Sequence, residues 1–271
     1  VHADIDFTPL THPTDPPART DPTANAVARL ALANGWQYYT HAVEQQLPGV
    51  VFREPNGRSR FSQRAVNIVR IPGTPMMEIG DSFYTEVAVG NQFTQRWGYL
   101  AVDVGVAMPS VTMESRSNFA QSPLPATPAG ALADESRSGL RVEAAPGAEF
   151  AADALLTPEV VEALDNGSYP LDVELNGRWL FLYAPRSLST DDAQSWKHTL
   201  RTAQLLMDRV RETFPMDASS SGAEVHQFGA PVTPMQSRGS RVNRMRVTWY
   251  LLAVVAAMGV AGGAALLFGG R

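Results

Sequence analysis

The stretch PLDVELNGRWLFLYAP, residues 170–185, carries the strongest local signal in this 271-residue chain. Apolar and polar positions alternate on both sides of Asn176-Gly177, and Asn-Gly is the favoured pair for a two-residue hairpin turn. The spacing predicts a β-hairpin in which Leu175 faces Arg178, Val173 faces Leu180 and Leu171 faces Leu182. One face is then aliphatic, and the other sets Trp179, Phe181 and Tyr183 opposite Glu174 and Asp172. Bulky residues on both sides of a strand imply that both faces of its sheet are covered.

Downstream, Trp196, Leu200, Ala203, Met207, Val210 and Phe214 recur every three or four positions, which predicts an amphipathic helix over 191–214. Ser189 or Thr190 would cap it and Pro215 would stop it, and Asp191-Asp192 suit the positive end of its dipole. Upstream, Thr157 and Pro158 open a short helix that Asn166-Gly167 closes, with Val160, Val161 and Leu164 inward. A further helix starts at Asp21-Pro22, buries Val27, Leu30 and Ala31, and stops at Asn34-Gly35.

Between these helices lie four strand-like segments, 36–43, 64–71, 83–89 and 97–106, rich in β-branched and aromatic residues. The gaps between them are too short for crossover helices, so they read as an antiparallel meander. Gly80-Asp81 reads as a turn before the third strand, with Asp81 a candidate functional carboxylate. The fold class is therefore α+β: an antiparallel sheet, meander plus hairpin, packed with a few helices and followed by one C-terminal transmembrane helix. Residues 1–20 read as a flexible arm, 21–214 as the folded domain with a long loop at 115–139, and 215–246 as a linker.

Residues 247–268, VTWYLLAVVAAMGVAGGAALLF, contain no charged side chain over 22 positions. As a helix they would reach roughly 33 Å, enough for a hydrocarbon core of about 30 Å. Gly259 and Gly263 form a GxxxG pair, with Gly262 and Ala257 beside them, a pattern that lets helices of other subunits approach closely within lipid. Arg238, Arg241, Arg244 and Arg246 precede the span and only Arg271 follows it, so the body is expected in the cytoplasm of a bacterium. Those four arginines are also candidate contacts for anionic lipid. The opening residues have neither the basic start nor the apolar core of a signal peptide.

The formal charge of −5 is uneven. Five arginines and no acid follow Glu224, so the rest holds 22 − 5 = 17 basic and 27 acidic residues. An acidic body argues against nucleic acid as partner. Absence of cysteine excludes disulfides and thiol chemistry. The five histidines, His2, His12, His41, His198 and His226, have no metal-ligand spacing, and no nucleophile-elbow or phosphate-loop motif occurs. No cofactor, metal ligand or catalytic residue is assigned.

The stretches ALANGWQYY (31–39), EIGDSFYTEVAVG (78–90), GYLAVDVGVAMP (98–109) and TPEVVEALDNGSYPLDVELNGRWLFLY (157–183) resemble a family of membrane-anchored actinobacterial proteins of unknown function. The stretch RVEAAPGAEFAADALL (141–156) is shorter than the corresponding part of that family. Chains of this type also resemble single-span accessory subunits of actinobacterial membrane assemblies such as the cytochrome bcc–aa3 supercomplex. The resemblance implies a non-catalytic accessory or assembly subunit in the plasma membrane, with lipid and transmembrane helices of other subunits as partners. The alternative is a membrane-tethered cytoplasmic sensor or ligand-binding domain.

Overall fold

The computed structural model describes residues 5–11, 22–43, 46–88, 91–125, 132–134 and 139–214, all within one compact unit. The linker, the apolar stretch 247–268 and the capping Asp21 lie outside the described residues. Among the described residues no helix is long and apolar enough to cross a membrane.

In chain order the elements are α1 (Thr8–Thr11), α2 (Pro22–Ala33), β1 (Gln37–Val43), β2 (Arg64–Ile71), β3 (Met77–Ala88), β4 (Asn91–Ser115) and α3 (Arg116–Gln121). They continue with β5 (Leu132–Asp134), β6 (Leu140–Ala144), α4 (Glu149–Leu155), α5 (Pro158–Leu164), β7 (Asp172–Ala184) and α6 (Ala193–Thr213). Strands β1 to β4 form the antiparallel meander that the short gaps predict.

The long strand β4 organises the sheet. It pairs with β3 over Asn91–Val102, with β6 over Val111–Ser115, and with β7 over Gly98–Met113. Because the β7 pairing overlaps both others, β3 and β6 must share one edge of β4 while β7 takes the other. β5 adds to the far side of β6.

The hairpin reading of 170–185 is overturned. β7 is one continuous strand, and residues on both sides of Asn176-Gly177 pair with β4 rather than with each other. A type I′ turn needs left-handed backbone at both central residues. Here only Gly177 has it, at φ +61°. The pair instead lies beside a bulge. From Asp103 to Met108 β4 advances 108 − 103 = 5 residues, while β7 advances 179 − 177 = 2 between their partners. Gly105, at φ +75°, sits within the surplus, and its amide is held by Asp103 Oδ1 at 3.0 Å. Two long strands stay paired across a bend because each carries a glycine there. β3 also begins earlier than predicted, so Gly80-Asp81 lies inside a strand and is not a turn.

Both sheet faces are covered, as the bulky strands predict. One face packs Ile79, Leu100, Val102, Leu180 and Leu182 against the buried stripes of α2, α4, α5 and α6. Trp196, Leu200, Ala203, Met207 and Val210 all point inward from α6, the face that the periodicity picks out. Each fully buried large aliphatic contributes about 1.5–3 kcal/mol of burial free energy. The opposite face packs Tyr84, Trp97, Tyr99, Phe181 and Tyr183 beneath the connection 46–63, whose Leu47, Val50, Val51 and Phe52 are buried.

Helix ends follow the sequence closely, with one exception. The Thr157 hydroxyl accepts from the Val160 amide at the start of α5. Gly35, at φ +67°, closes α2. The α6 cap is Asp192, which accepts from the Gln194 amide at 2.8 Å and from the Tyr169 hydroxyl at 2.7 Å. Ser189 does not cap α6, because its hydroxyl donates to the Asn67 carbonyl instead. Residues 5–11 fall within the segment read as an arm, and here they pack on the helices. Leu10 is buried, the Asp6 backbone exchanges two hydrogen bonds with the Asn34 side chain, and Phe7 lies under Lys197. Within 115–139, residues 116–121 form α3, which the Ser115 hydroxyl caps.

Candidate functional site

The interior holds an unusual set of carboxylates. Glu78, Asp81, Glu114, Asp172 and Glu174 are all buried. A buried carboxylate is tolerated only where donors replace water, so the donors show what each one does.

Glu174 and Glu78 serve the aromatic face. Glu174 Oε2 accepts from the Val50 amide at 2.9 Å and from the Tyr183 hydroxyl at 2.8 Å, and Oε1 accepts from Asn176 Nδ2 at 3.2 Å. Burial pushes its carboxyl up to about 7, against those bonds and the field of Arg60. Glu78 accepts from the Tyr99 hydroxyl at 2.8 Å and pairs with Arg70 at 2.8 Å. Tyr99 and Tyr183 face one another across β4 and β7. The result is two tyrosine–glutamate pairs side by side beneath residues 46–63. Arg60 Nε donates to the Val50 carbonyl at 2.7 Å while its guanidinium lies over Tyr84. Phe52 meets Tyr99 edge-on with ring centroids 4.9 Å apart. Gly49 presses so close that an added Cβ would collide with the Tyr183 hydroxyl.

Asp81 serves the helical face. It accepts from the Ser187 hydroxyl at 2.7 Å and the Leu188 amide at 2.9 Å, fixing the turn from β7 into α6. Burial raises its carboxyl to about 6. Asp172 accepts from the Ser115 amide at 2.8 Å and is pushed well above the usual range by burial. Glu114 accepts from the Leu124 amide at 2.6 Å, and burial raises it too. Glu174, Asp81 and Glu114 thus tie covering segments to the sheet, Asp172 holds the end of β4 where α3 begins, and Glu78 ties β3 to its neighbours β2 and β4. Sequence reasoning singled out Asp81 and missed the roles of the other four. The available signal was an acid at an interior position of a strand that is bulky on both faces, as in LDVEL.

The surface offers grooves along α6. One of about 400 Å³ is lined by Ile5, Phe7, Leu200 and Leu205 and rimmed by Lys197, Arg201 and Asp208. Another of about 330 Å³ lies toward α5, beside Glu159, Glu162, Asn166 and His198. His198 is half-buried against Tyr169, and burial lowers its pKa. His41 is half-buried on β1, its Nδ1 2.9 Å from the Thr40 hydroxyl. Among the described residues no group of three or more histidine and carboxylate side chains is placed to hold a metal ion. His2, His12 and His226 lie outside the described residues. So do the predicted helix-interface residues Ala257, Gly259, Gly262 and Gly263, and the predicted lipid contacts Arg238, Arg241, Arg244 and Arg246.

No protein-family model matches the chain. No curated protein matches it either. Among solved structures the chain is similar to the mycobacterial trehalose monomycolate transport factor A, TtfA, at 14% identity and a TM-score of 0.45. That likeness covers 71% of this chain and 96% of the other.

Proposed function

We propose that this protein is a non-catalytic accessory or assembly subunit of a larger bacterial membrane complex, such as a respiratory supercomplex. The single span would dock among the helices of other subunits while the α+β domain stands in the cytoplasm. The observation that carries the reading is how the interior carboxylates are used. Glu78, Asp81, Glu114, Asp172 and Glu174 each hold a side chain or covering segment in place, which is the work of a rigid scaffold. A general acid or base has to reach a substrate proton, and these five groups are buried. The apolar run 247–268 supplies the anchor, and its small residues supply a face for close packing.

Purification of the full chain in mild detergent, with mass spectrometry of what accompanies it, tests the reading. Replacing Gly259 and Gly263 together with isoleucine keeps the span hydrophobic but pushes a partner backbone away. The variant should still fractionate with membranes and lose its companions, while isoleucine at Leu251 and Leu252 should change nothing. Retained companions in the glycine variant would make the span a plain anchor. A second reading, a tethered ligand-binding domain, is favoured by the apolar groove of about 400 Å³ on α6. A small molecule that survives purification and protects Phe7 and Leu205 from solvent would select it.

A further inference from the structure

The free end of the β2–β3–β4 sheet gathers apolar and cationic side chains in one place. Arg64, Phe83 and Arg96 are directly opposite one another on the three strands. Both guanidiniums lie over the Phe83 ring, at 5.4 and 5.8 Å from its centroid. Beyond this row the strands run on to Val87, 64% exposed, and Phe93, 51% exposed. Phe61, 57% exposed, lies beside them, since its carbonyl accepts from the Thr85 amide at 2.9 Å. Of the acids near the row, Asp81 feels the field of Arg96, and both Asp81 and Glu86 already accept hydrogen bonds from other groups. Glu86 accepts from Gln95 Nε2 at 2.9 Å, and Asp81 holds the turn before α6.

Val87 and Phe93 emerge on opposite faces of the hairpin. Phe93 is opposite Glu86, the neighbour of Val87, and neighbours on a strand point to opposite sides. A flat partner surface covers one side of such a tip; a medium that closes round it covers both. Val87 lies four residues beyond Phe83, or about 13 Å at 3.3 Å per residue. Interfacial segments bury their apolar residues about 5–10 Å into the headgroup boundary while arginines stay at headgroup level. A tip about 13 Å beyond the arginine row can enter to that depth while the row itself stays at or above headgroup level.

The geometry points to the β3–β4 end of the domain as an anionic-lipid contact, with Phe61, Val87 and Phe93 entering the interface and Arg64 and Arg96 bound to acidic headgroups. The inference rests on the reading of 247–268 as a span, which keeps the domain beside a bilayer. The 246 − 214 = 32 residues between α6 and the apolar run allow at most about 105 Å when fully extended, so chain length alone does not hold the tip away from the bilayer.

The chain has no cysteine, so Val87→Cys gives a single attachment point for an environment-sensitive fluorophore. The labelled full chain is placed in nanodiscs of phosphatidylcholine alone, or of phosphatidylcholine with phosphatidylglycerol and nitroxide-bearing lipid. A blue shift and nitroxide quenching are expected with the anionic lipid, and both should disappear with Arg64→Gln and Arg96→Gln together or at high salt. A label at Leu32→Cys, on a side chain that is 80% exposed on α2, should show neither effect. Equal quenching at Leu32, or no quenching at Val87 in a chain that has entered the discs, overturns the proposal and leaves the span reading intact. If the chain stays out of the discs, the span reading falls, and flotation with anionic vesicles decides the tip: binding lost in the arginine variant sustains it, and no binding sinks it. A tip that ignores lipid but changes emission with polyglutamate would assign this surface to an acidic protein instead.

Discussion

The substitution Glu174→Gln separates the charge of this residue from its shape. The native carboxyl titrates at about 7, raised by burial from an ordinary 4.5. Between those values the unfolded chain releases its proton and the native chain keeps it, so stability falls as pH rises. Below pH 4.5 both states are protonated and the contribution is intact; above about 7 both are ionised and the loss is complete. The difference of 2.5 units, at 1.36 kcal/mol per unit, amounts to about 3 kcal/mol. Glutamine can accept from the Val50 amide and Tyr183 hydroxyl with its carbonyl, while Asn176 must turn its amide to accept from the new NH2, giving up its 3.3 Å bond to the Pro48 carbonyl, as it must for the protonated carboxyl of the parent. The variant should therefore match the parent in acid and exceed it by about 3 kcal/mol above neutral pH. The assay is urea unfolding of a chain ending at Pro215, followed by tryptophan fluorescence from pH 4 to 8. Asp81, raised from 3.8 to about 6, also tilts the parent curve, but its effect cancels in the difference between the two proteins. Parallel pH profiles would show that Glu174 does not carry a buried proton. A variant weaker than the parent in acid would show that its role is steric.

Three other outcomes are expected. Trp196→Ala removes a ring that is 1% exposed and hydrogen-bonded to the Thr190 carbonyl, and should cost about 3–5 kcal/mol in the same assay; a change under about 0.5 kcal/mol, usual for surface sites, would mean the ring is not buried. Gly49→Val drives a side chain into Tyr183 and Glu174, and should cost about 1–3 kcal/mol while altering the near-UV dichroism of the aromatic face. A reporter active only outside the cytoplasm should work after Arg271 and stay silent before residue 20, and the reverse pattern would overturn the proposed cytoplasmic side for the domain.

The parts of the fold legible in the sequence are those that local chemistry decides. The α6 stripe, the Thr157 cap and the stop at Gly35 each depend on residues within one or two turns, and the structure has them as read. The segment 170–185 was misread because its alternation suits two arrangements equally well. Two strands folded on Asn-Gly, or one strand paired throughout with a distant neighbour, bury the same leucines. What selects the second is β4, 25 residues long, with its own glycine at the matching bend. A non-local partner of that length outcompetes a local turn, because β7 then forms a ladder along most of its length and not only between its own halves. The N-cap of α6 was misplaced for a similar reason. Ser189 is a good cap by type, but its hydroxyl goes to the carbonyl of Asn67, a residue at φ +50° in the β2 bulge.

The carboxylates were illegible in a deeper sense. An acid in a strand ordinarily marks a solvated face, and Glu174 and Asp172 fit that rule until both faces of the sheet are known to be covered. Their burial depends on segments far away in sequence: Val50 for Glu174, Ser115 for Asp172, and Leu188 for Asp81. In each case the donor is a backbone amide, and a backbone amide leaves no trace in residue identity. Only Gly49 hints at the arrangement, because the close approach of its backbone to Tyr183 demands a residue without Cβ. Those bonds close loops of more than 50 residues, so each must offset chain entropy that grows with loop length. Several such ties give a domain whose covering segments are bound from both sides of one sheet.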